Sequence, residues 1–347
     1  MPSKEELKAL QALPLEIKVM KTQARIREWV QHFGEDGVYV SFSGGKDSTV
    51  LLHLVRELYP NVEAVFVDTG LEYPEARKFI KTFANITILR PKMSFIDVIK
   101  KYGYPLISKE ASECLSQAKK SIEKNDGKYT YRLKKLLGEV FDKQGRKSLY
   151  NQEKWKPLLY VDFSISNMCC VVMKKFPFKK YEKETKKVPM VATLADESRL
   201  REGAWVKNGC NAFSAKHQRS APLSFWTEQD ILHYIAEHDL PIAEVYGEIV
   251  PDTEFDGQIT IDKSLVKLKC TGCERTGCMF CAFGAHMGMG EGRFERLKRT
   301  HPKQYAFCIE GGEYDEKGLW RPNEKGLGMK HVFDVFNELY PKTPIKF

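Results

Sequence analysis

The run Val38-Tyr39-Val40-Ser41-Phe42-Ser43-Gly44-Gly45-Lys46-Asp47-Ser48-Thr49-Val50-Leu51-Leu52 constrains the fold more than any other part of this chain. An alternating, β-rich segment enters a glycine pair, and a helical pattern carrying Val50, Leu51, Leu54 and Val55 leaves it. The expectation is a strand, a tight loop and a helix N-terminus. Gly44 and Gly45 let backbone N–H groups approach an anion with no Cβ in the way, and the helix start adds its positive dipole end. Lys46 supplies a point charge for a phosphate oxygen, Ser43 and Ser48 supply hydroxyl donors, and Asp47 either holds Mg²⁺ or caps the helix. A glycine turn that merely joins strand to helix is the plainer reading. The spacing differs from G-x-x-x-x-G-K-[ST], which disfavours a γ-phosphate kinase or GTPase.

Composition bounds what surrounds this loop. With 347 residues and 42% hydrophobic content, the chain can bury a sizeable core in one large domain and a smaller appendage. No stretch approaches about 18 consecutive apolar residues, and the N-terminus lacks the apolar core of a signal peptide. The expectation is a soluble, cytoplasmic protein with no membrane partner. Nine cysteines in such a compartment argue for metal or redox chemistry, because structural disulfides are reduced there. The net charge of +9 is uneven: residues 117–187 hold 19 Lys/Arg against 8 Asp/Glu, a surplus of +11, so the remainder sums to −2.

Taken in order, residues 1–34 read as N-terminal amphipathic helices, with Ile17, Met20, Ala24, Ile26 and Val30 at helical spacing. Residues 35–250 read as a nucleotide-binding α/β domain. After the loop, Glu63–Thr69 is a second strand with Asp68 and Thr69 at its carboxyl end, and Thr87–Leu89 is a third, followed by a helix capped by Ser94. Alternating strands and helices predict a parallel sheet, whose ligands sit beyond the strands' carboxyl ends. Asp68, Thr69 and Glu72 fall there, Glu72 also reading as a plain helix cap. The order breaks at about 109–160, a basic helical insertion in which Tyr129, Tyr131, Tyr150 and Trp155 punctuate the lysines. That mixture suits phosphate contacts and base stacking, or else a solvated helical face.

Residues 251–347 read as a Cys-rich, metal-binding C-terminal module. Cys270, Cys273, Cys278 and Cys281 place four thiols within twelve residues, a spacing that suits a tetrahedral Zn²⁺ or a [4Fe–4S] cluster. Beyond them lie a glycine- and methionine-rich loop from Gly284 to Gly292 containing His286, a basic helix over Arg293–Thr300, and a closing amphipathic helix from His331 to Tyr340. The closing helix carries Val332, Val335, Phe336 and Leu339 on one face. His286 reads as a ligand, a base, or a residue that satisfies a local hydrogen bond.

Ser43 to Ser48, SGGKDS, resembles the pyrophosphate-binding loop of the PP-loop ATP pyrophosphatases, which cleave ATP between the α- and β-phosphates. A wider resemblance covers about residues 35–285. Cys169-Cys170 before a basic-Pro segment, the strand Val188–Thr193 leading to Asp196-Glu197-Ser198-Arg199-Leu200-Arg201, and Pro222-Leu223-Ser224-Phe225-Trp226-Thr227-Glu228-Gln229-Asp230 are similar to the phosphoadenosine phosphosulfate (PAPS) and adenosine phosphosulfate (APS) reductase family. The resemblance implies an adenine nucleotide alpha hydrolase-like fold: a parallel twisted sheet with helices on both faces. It makes Arg199 and Arg201 anion-binding arginines, either of which otherwise pairs with Asp196 or Glu197. It also implies one [4Fe–4S] cluster shared by Cys169, Cys170, Cys278 and Cys281. On that scheme Cys270 and Cys273 are surplus, replace the vicinal pair, or bind separately, and Zn²⁺ stays the alternative.

On this resemblance the catalytic set is Lys46, Asp47 and Arg199. The nucleotide-binding set is Ser41, Ser43, Gly44, Gly45, Lys46, Asp47, Ser48, Asp68, Thr69 and Arg201, and the implied cofactors are ATP and Mg²⁺. Two departures from the reductases stand out. Those enzymes generally lose the SGGKDS loop, intact here, and carry a nucleophilic cysteine in a C-terminal E-C-G-x-H segment, of which Cys308 is the nearest counterpart. Cys308 otherwise reads as a small buried hydrophobe. Three functions follow: an ATP pyrophosphatase acting in sulfur transfer to DNA or tRNA with a sulfur-donor protein as partner, a sulfonucleotide reductase, or a non-catalytic nucleotide- and nucleic-acid-binding partner.

Overall fold

The computed structural model describes residues 2–124, 130–252, 266–288 and 290–347. Tyr129, singled out above in the basic insertion, lies outside the described residues, as does part of the C-terminal module and one residue of the Gly284–Gly292 loop. The chain is α/β. It forms two compact units, one of residues 1–90 and 177–278, the other of residues 91–176 and 279–347.

The first unit is built on a four-stranded parallel sheet in the order Ile86–Leu89, Ala64–Val67, Val38–Ser41, Val188–Val191. Val40 sits between Ala64 and Met190, and all three are fully buried. The run of β-branched residues that predicted the central strand is thus explained, because a parallel strand covered on both faces has no polar side to alternate with. Helices flank the sheet, among them Leu15–Phe33 and Lys46–Leu58. From the central strand the chain winds outward through Ala64–Val67 and Ile86–Leu89, and returns on the other side as Val188–Val191. That reversal makes the carboxyl end of Val38–Ser41 the switch point of the sheet, where open α/β folds leave a crevice.

The helix Leu15–Phe33 does not bury the stripe its apolar residues suggest. Met20 is 64% exposed and Ile17 40%, whereas Lys18, Thr22, Ile26, Trp29 and Val30 are buried. The two polar residues belong to the core because partners await them. Lys18 Nζ pairs with Asp230 at 2.7 Å, and Trp226 Nε1 donates to Thr22 Oγ1 at 2.9 Å. Asp230 also accepts from the Thr227 backbone in a capping box at the start of helix Glu228–Glu237. Breaking such a buried pair by removing one partner costs about 3–5 kcal/mol.

The second unit joins the insertion to the C-terminal region. Leu106–Ile107 pairs in parallel with Ala282–Phe283, and the helix Lys109–Lys124 packs on Tyr131–Leu137 and the 3₁₀ segment Glu153–Leu159. This pairing is one of the links by which the compact units cut across the sequence-order division at 250/251. Tyr104 Oη donates to the Leu327 carbonyl, Asp162 bonds His331 and Tyr314, and Trp155 packs among His286, Phe336 and Tyr340. The closing helix, Met329–Leu339, buries Val332, Phe333 and Phe336, while Leu339 is exposed. Among the described residues no helix is long and apolar enough to cross a membrane.

Candidate functional site

The phosphate-type loop emerges at the switch point of the first unit. Gly44 adopts φ +69°, and a Cβ there would meet Ile80 Cγ1 at 2.7 Å, so both backbone and space demand glycine. The helix begins at Lys46 with Gly45 as its side-chain-free N-cap. The first amides are therefore satisfied by hydroxyls: Ser43 N–H donates to Ser48 Oγ at 3.2 Å, Gly45 N–H to Ser43 Oγ at 3.3 Å, and Lys46 N–H to Tyr246 Oη at 3.2 Å. Hydroxyl oxygens thus sit on the donors that sequence reasoning assigned to an anion.

Lys46 is 4% exposed, and its ammonium is held by Glu228 Oε1 at 2.9 Å and the Glu274 carbonyl at 2.9 Å, with Asp47 Oδ1 at 3.8 Å. Burial works against that charge, but Asp47, Glu228 and Tyr246 outweigh it and leave the pKa raised. Asp47 runs the other way. Burial pushes its carboxyl up, Glu228 adds to the shift, and Lys46, Arg275 and Arg201 oppose it. Its Oδ1 is buried and accepts no hydrogen bond.

At the carboxyl end of Ala64–Val67, Asp68 accepts from Arg77 at 2.9 Å and from the Gly70 N–H, while Thr69 donates through its hydroxyl (2.8 Å) and its amide (3.1 Å) to the buried Glu72. Both expected nucleotide contacts therefore have local partners here, and Glu72 is a buried carboxylate rather than a solvated cap. Beyond Val188–Val191, Ser198 caps the helix Arg199–Asn208. Arg201 pairs with Glu197, which also takes Arg275 at 3.3 Å, and burial followed by the neighbouring Arg275 lowers the Arg201 pKa. Arg199 is exposed at the first turn of that helix.

The six candidate metal-ligating cysteines divide between the units. In the first, Cys270 ends the strand Leu268–Cys270, paired with Ile249–Pro251, and the turn after it is fixed by Gly272 N–H to the Tyr246 carbonyl and Cys273 N–H to the Val245 carbonyl. The same turn reaches the loop through Glu274 on Lys46 and Thr276 on Tyr246 (3.0 Å). Burial raises the Cys270 thiol, and Cys273 Sγ donates to the Arg275 carbonyl at 2.6 Å. Cys278 closes the unit. In the second, Cys169 and Cys170 end a short helix that widens at once into a π-turn, Val171–Lys175, a feature frequent at functional sites. A hydrogen bond from Cys169, with Lys109, Lys174 and Lys175 nearby, draws the Cys170 thiol down to about 6. Cys281 belongs to this unit, and its carbonyl accepts from Arg293 at 2.7 Å.

Among the described residues no three His, Cys, Asp or Glu side chains gather closely enough to hold a metal ion. Cys308 is fully buried, with its thiol against Met329 Sδ at 3.4 Å and pushed far up by burial, which suits packing and not nucleophilic attack. His286 packs its ring on Trp155 and Phe336, and burial lowers its pKa.

Glu228, Tyr246, Glu197 and Arg275 were not among the residues chosen from sequence. For three of them the signal is adjacency alone: Glu228 follows Trp226-Thr227, Glu197 lies near Arg199, and Arg275 stands between Cys273 and Cys278, while Tyr246 carries no signal in the sequence.

The comparisons with known proteins bear on this site. The chain is 25% identical over 307 residues to an uncharacterized protein of Methanocaldococcus jannaschii, an alignment that takes in 85% of this chain but only about half, 54%, of that relative's length. It is 27% identical over 227 residues to an adenosine 5'-phosphosulfate reductase of Staphylococcus haemolyticus, covering 65% of this chain and 72% of the other. The crystal structure of a phosphoadenylyl-sulfate reductase from Candida auris aligns with 70% of this chain and 91% of its own at 16% identity and a TM-score of 0.36. Residues 37–136 and 116–283, from the central strand past Cys281, match the profile of the phosphoadenosine phosphosulfate reductase domain. With most of its length matched in this way, the chain belongs to the phosphoadenosine phosphosulfate reductase domain family.

Proposed function

We propose that the protein binds ATP through Ser43–Ser48, cleaves it between the α- and β-phosphates, and uses the adenylyl group in sulfur transfer to a nucleic acid, DNA or tRNA. One observation carries the reading: an intact SGGKDS loop stands at the switch point of the parallel sheet with a buried, charged Lys46 behind it. In this reaction an oxygen of the acceptor attacks the α-phosphorus, the P–O bond towards the β-phosphate breaks, and pyrophosphate departs with the bonding pair. The chain's part is electrostatic. Phosphate oxygens take over the amides of Ser43, Gly45 and Lys46 from the hydroxyls, Lys46 exchanges Glu228 for phosphate, and Arg201 and Arg275, which Glu197 neutralises in the nucleotide-free protein, turn to the phosphate charge. Arg199, exposed at its helix start, reaches the acceptor side. Asp47, with its buried and unbonded Oδ1, fits Mg²⁺, which when bound would neutralise triphosphate charge.

A thiolate-held metal centre belongs to the same reading, [4Fe–4S] in preference to Zn²⁺. Its support is the lowered Cys170 thiol in a lysine-rich turn, since the thiolate is the ligating form. No step is routed through that centre. A sulfur-donor protein supplies the sulfur, and AMP then leaves.

Sulfonucleotide reduction is the second reading, favoured by the similarity to the Staphylococcus haemolyticus reductase. The burial of Cys308 weighs against it. Incubating the protein with α-labelled ATP, alone and with tRNA or DNA, should yield AMP and pyrophosphate, and Lys46→Ala should abolish both products. Sulfite release from APS or PAPS with reduced thioredoxin, without any pyrophosphate from ATP, would replace the first reading by the second.

A further inference from the structure

Within the second unit, exposed apolar side chains concentrate in one stretch. Tyr131 is 60% exposed, Phe141 59%, Leu149 100%, Tyr150 72% and Tyr160 79%. Large side chains scattered singly on a surface need no explanation, but five within thirty residues mark a surface that meets something. Their backbone is fixed. Asn151 brackets Val140 with two hydrogen bonds, Ser148 N–H donates to the Val140 carbonyl, and Asp142 closes the turn through the amides of Gln144 and Arg146. The hairpin carrying Phe141, Leu149 and Tyr150 is therefore held open to solvent rather than collapsed onto the unit.

The charge around these rings selects the partner. Residues 130–160 hold eight Lys/Arg against three Asp/Glu. Lys134, Lys143, Lys154 and Lys156 among them are exposed, whereas Lys135, 5.8 Å from the centre of the Tyr150 ring, is buried and paired with Glu110. In the same unit Lys101, Lys119 and Lys120, with Glu123 beside them, line a shallow cleft whose apolar wall includes Leu158, Leu159 and Phe163, with Tyr160 next in sequence. Lysines suit phosphodiesters and exposed rings suit the faces of bases, but a duplex stacks its bases against each other and offers no free face.

We infer that the second unit binds an unpaired strand of nucleic acid, its phosphates on Lys101, Lys119 and Lys120 and its bases on Tyr150 and Tyr160. The inference rests on the reading that the acceptor is a nucleic acid, and it specifies single-stranded or looped segments rather than duplex. The test is fluorescence anisotropy of the full-length chain with labelled 20-nucleotide uridine or thymidine strands and a 20-base-pair duplex, at low and moderate salt. The single strands should bind at least tenfold more tightly than the duplex. Tyr150→Ala and Tyr160→Ala should each weaken binding roughly 5- to 100-fold, the size of a lost stacking contact, with unchanged melting temperature. Joint Lys119→Ala and Lys120→Ala should flatten the salt dependence. Equal or tighter binding of duplex, wild-type affinity in both tyrosine variants, or no binding of any strand would overturn the inference. Pyrophosphate release from ATP by the same preparation is scored separately: present without strand binding, it removes only this surface; strand binding without it removes only the ATP reading.

Discussion

Replacing Glu228 by Gln should make the protein bind ATP more tightly, an unusual direction for a change beside a binding loop. In the nucleotide-free protein Lys46 is not waiting unpaired: its ammonium lies 2.9 Å from Glu228 Oε1. A phosphate that recruits Lys46 must displace that carboxylate, so the affinity measured is a difference between two charge-assisted contacts. Such a contact contributes about 1.5–3 kcal/mol when desolvated. Glu228 is 40% exposed, so water screens part of this, and a discounted figure of about 1–2 kcal/mol is appropriate. Glutamine keeps the shape and removes the competing charge, which converts to roughly 5- to 30-fold tighter ATP binding. The change also removes one of the influences that raise the Asp47 carboxyl. Isothermal titration calorimetry with ATP in EDTA, and again with Mg²⁺, reads the effect. Unchanged or weaker binding in EDTA would refute the exchange argument, and a loss seen only with Mg²⁺ would instead make Glu228 a cation ligand.

Other outcomes follow from the same geometry. Gly44→Ala must carry a side chain at φ +69° and push against Ile80, so thermal unfolding should show a loss of about 1–3 kcal/mol; an unchanged melting temperature would count against the loop geometry. In metal-free protein the Cys170 pKa, drawn down to about 6, means a thiolate persists through neutral pH and its stabilising contribution fades as pH falls through that value. Iodoacetamide labelling of Cys170 followed by mass spectrometry should have its midpoint near pH 6, and a midpoint near that of an ordinary thiol would contradict it. Anaerobically purified protein should be brown and contain about four iron and four sulfide per chain, lost on Cys278→Ser or Cys281→Ser. Retention of iron in Cys270→Ala and Cys273→Ala would assign the vicinal pair, and a colourless preparation with one zinc would exclude the cluster.

What the sequence made legible is what short-range chemistry dictates. Ser43–Ser48 announces itself because a glycine loop between a strand and a helix is a local statement, and the parallel sheet around it follows from alternating strands and helices. What remained hidden depends on distant residues. The Glu274 carbonyl lies 228 positions from the Lys46 it holds, and Tyr246 lies 200 positions from the Lys46 amide to which it is bonded. Lys18 and Thr22 defeat an amphipathic reading of their helix, since Asp230, Trp226 and the Pro222 carbonyl make those positions hospitable to polar groups. The regrouping of residues 91–176 with 279–347 rests on a pairing of two residues with two and on single long-range contacts such as Tyr104 with Leu327 and Asp162 with His331, none of which any periodicity registers.

That pairing also sets a schedule. Leu106 and Ile107 are buried in the finished protein, yet the strand that covers their edge, Ala282–Phe283, is synthesised about 175 residues later. At about 5–20 residues per second a ribosome takes roughly 10–35 s to deliver it. Through that interval the first unit can gather its strands up to Val191, while the apolar edge at Leu106–Ile107 has no mate and is open to wrong ones. The lysines between residues 109 and 160 surround that edge in sequence, and like charge of this kind opposes association between chains.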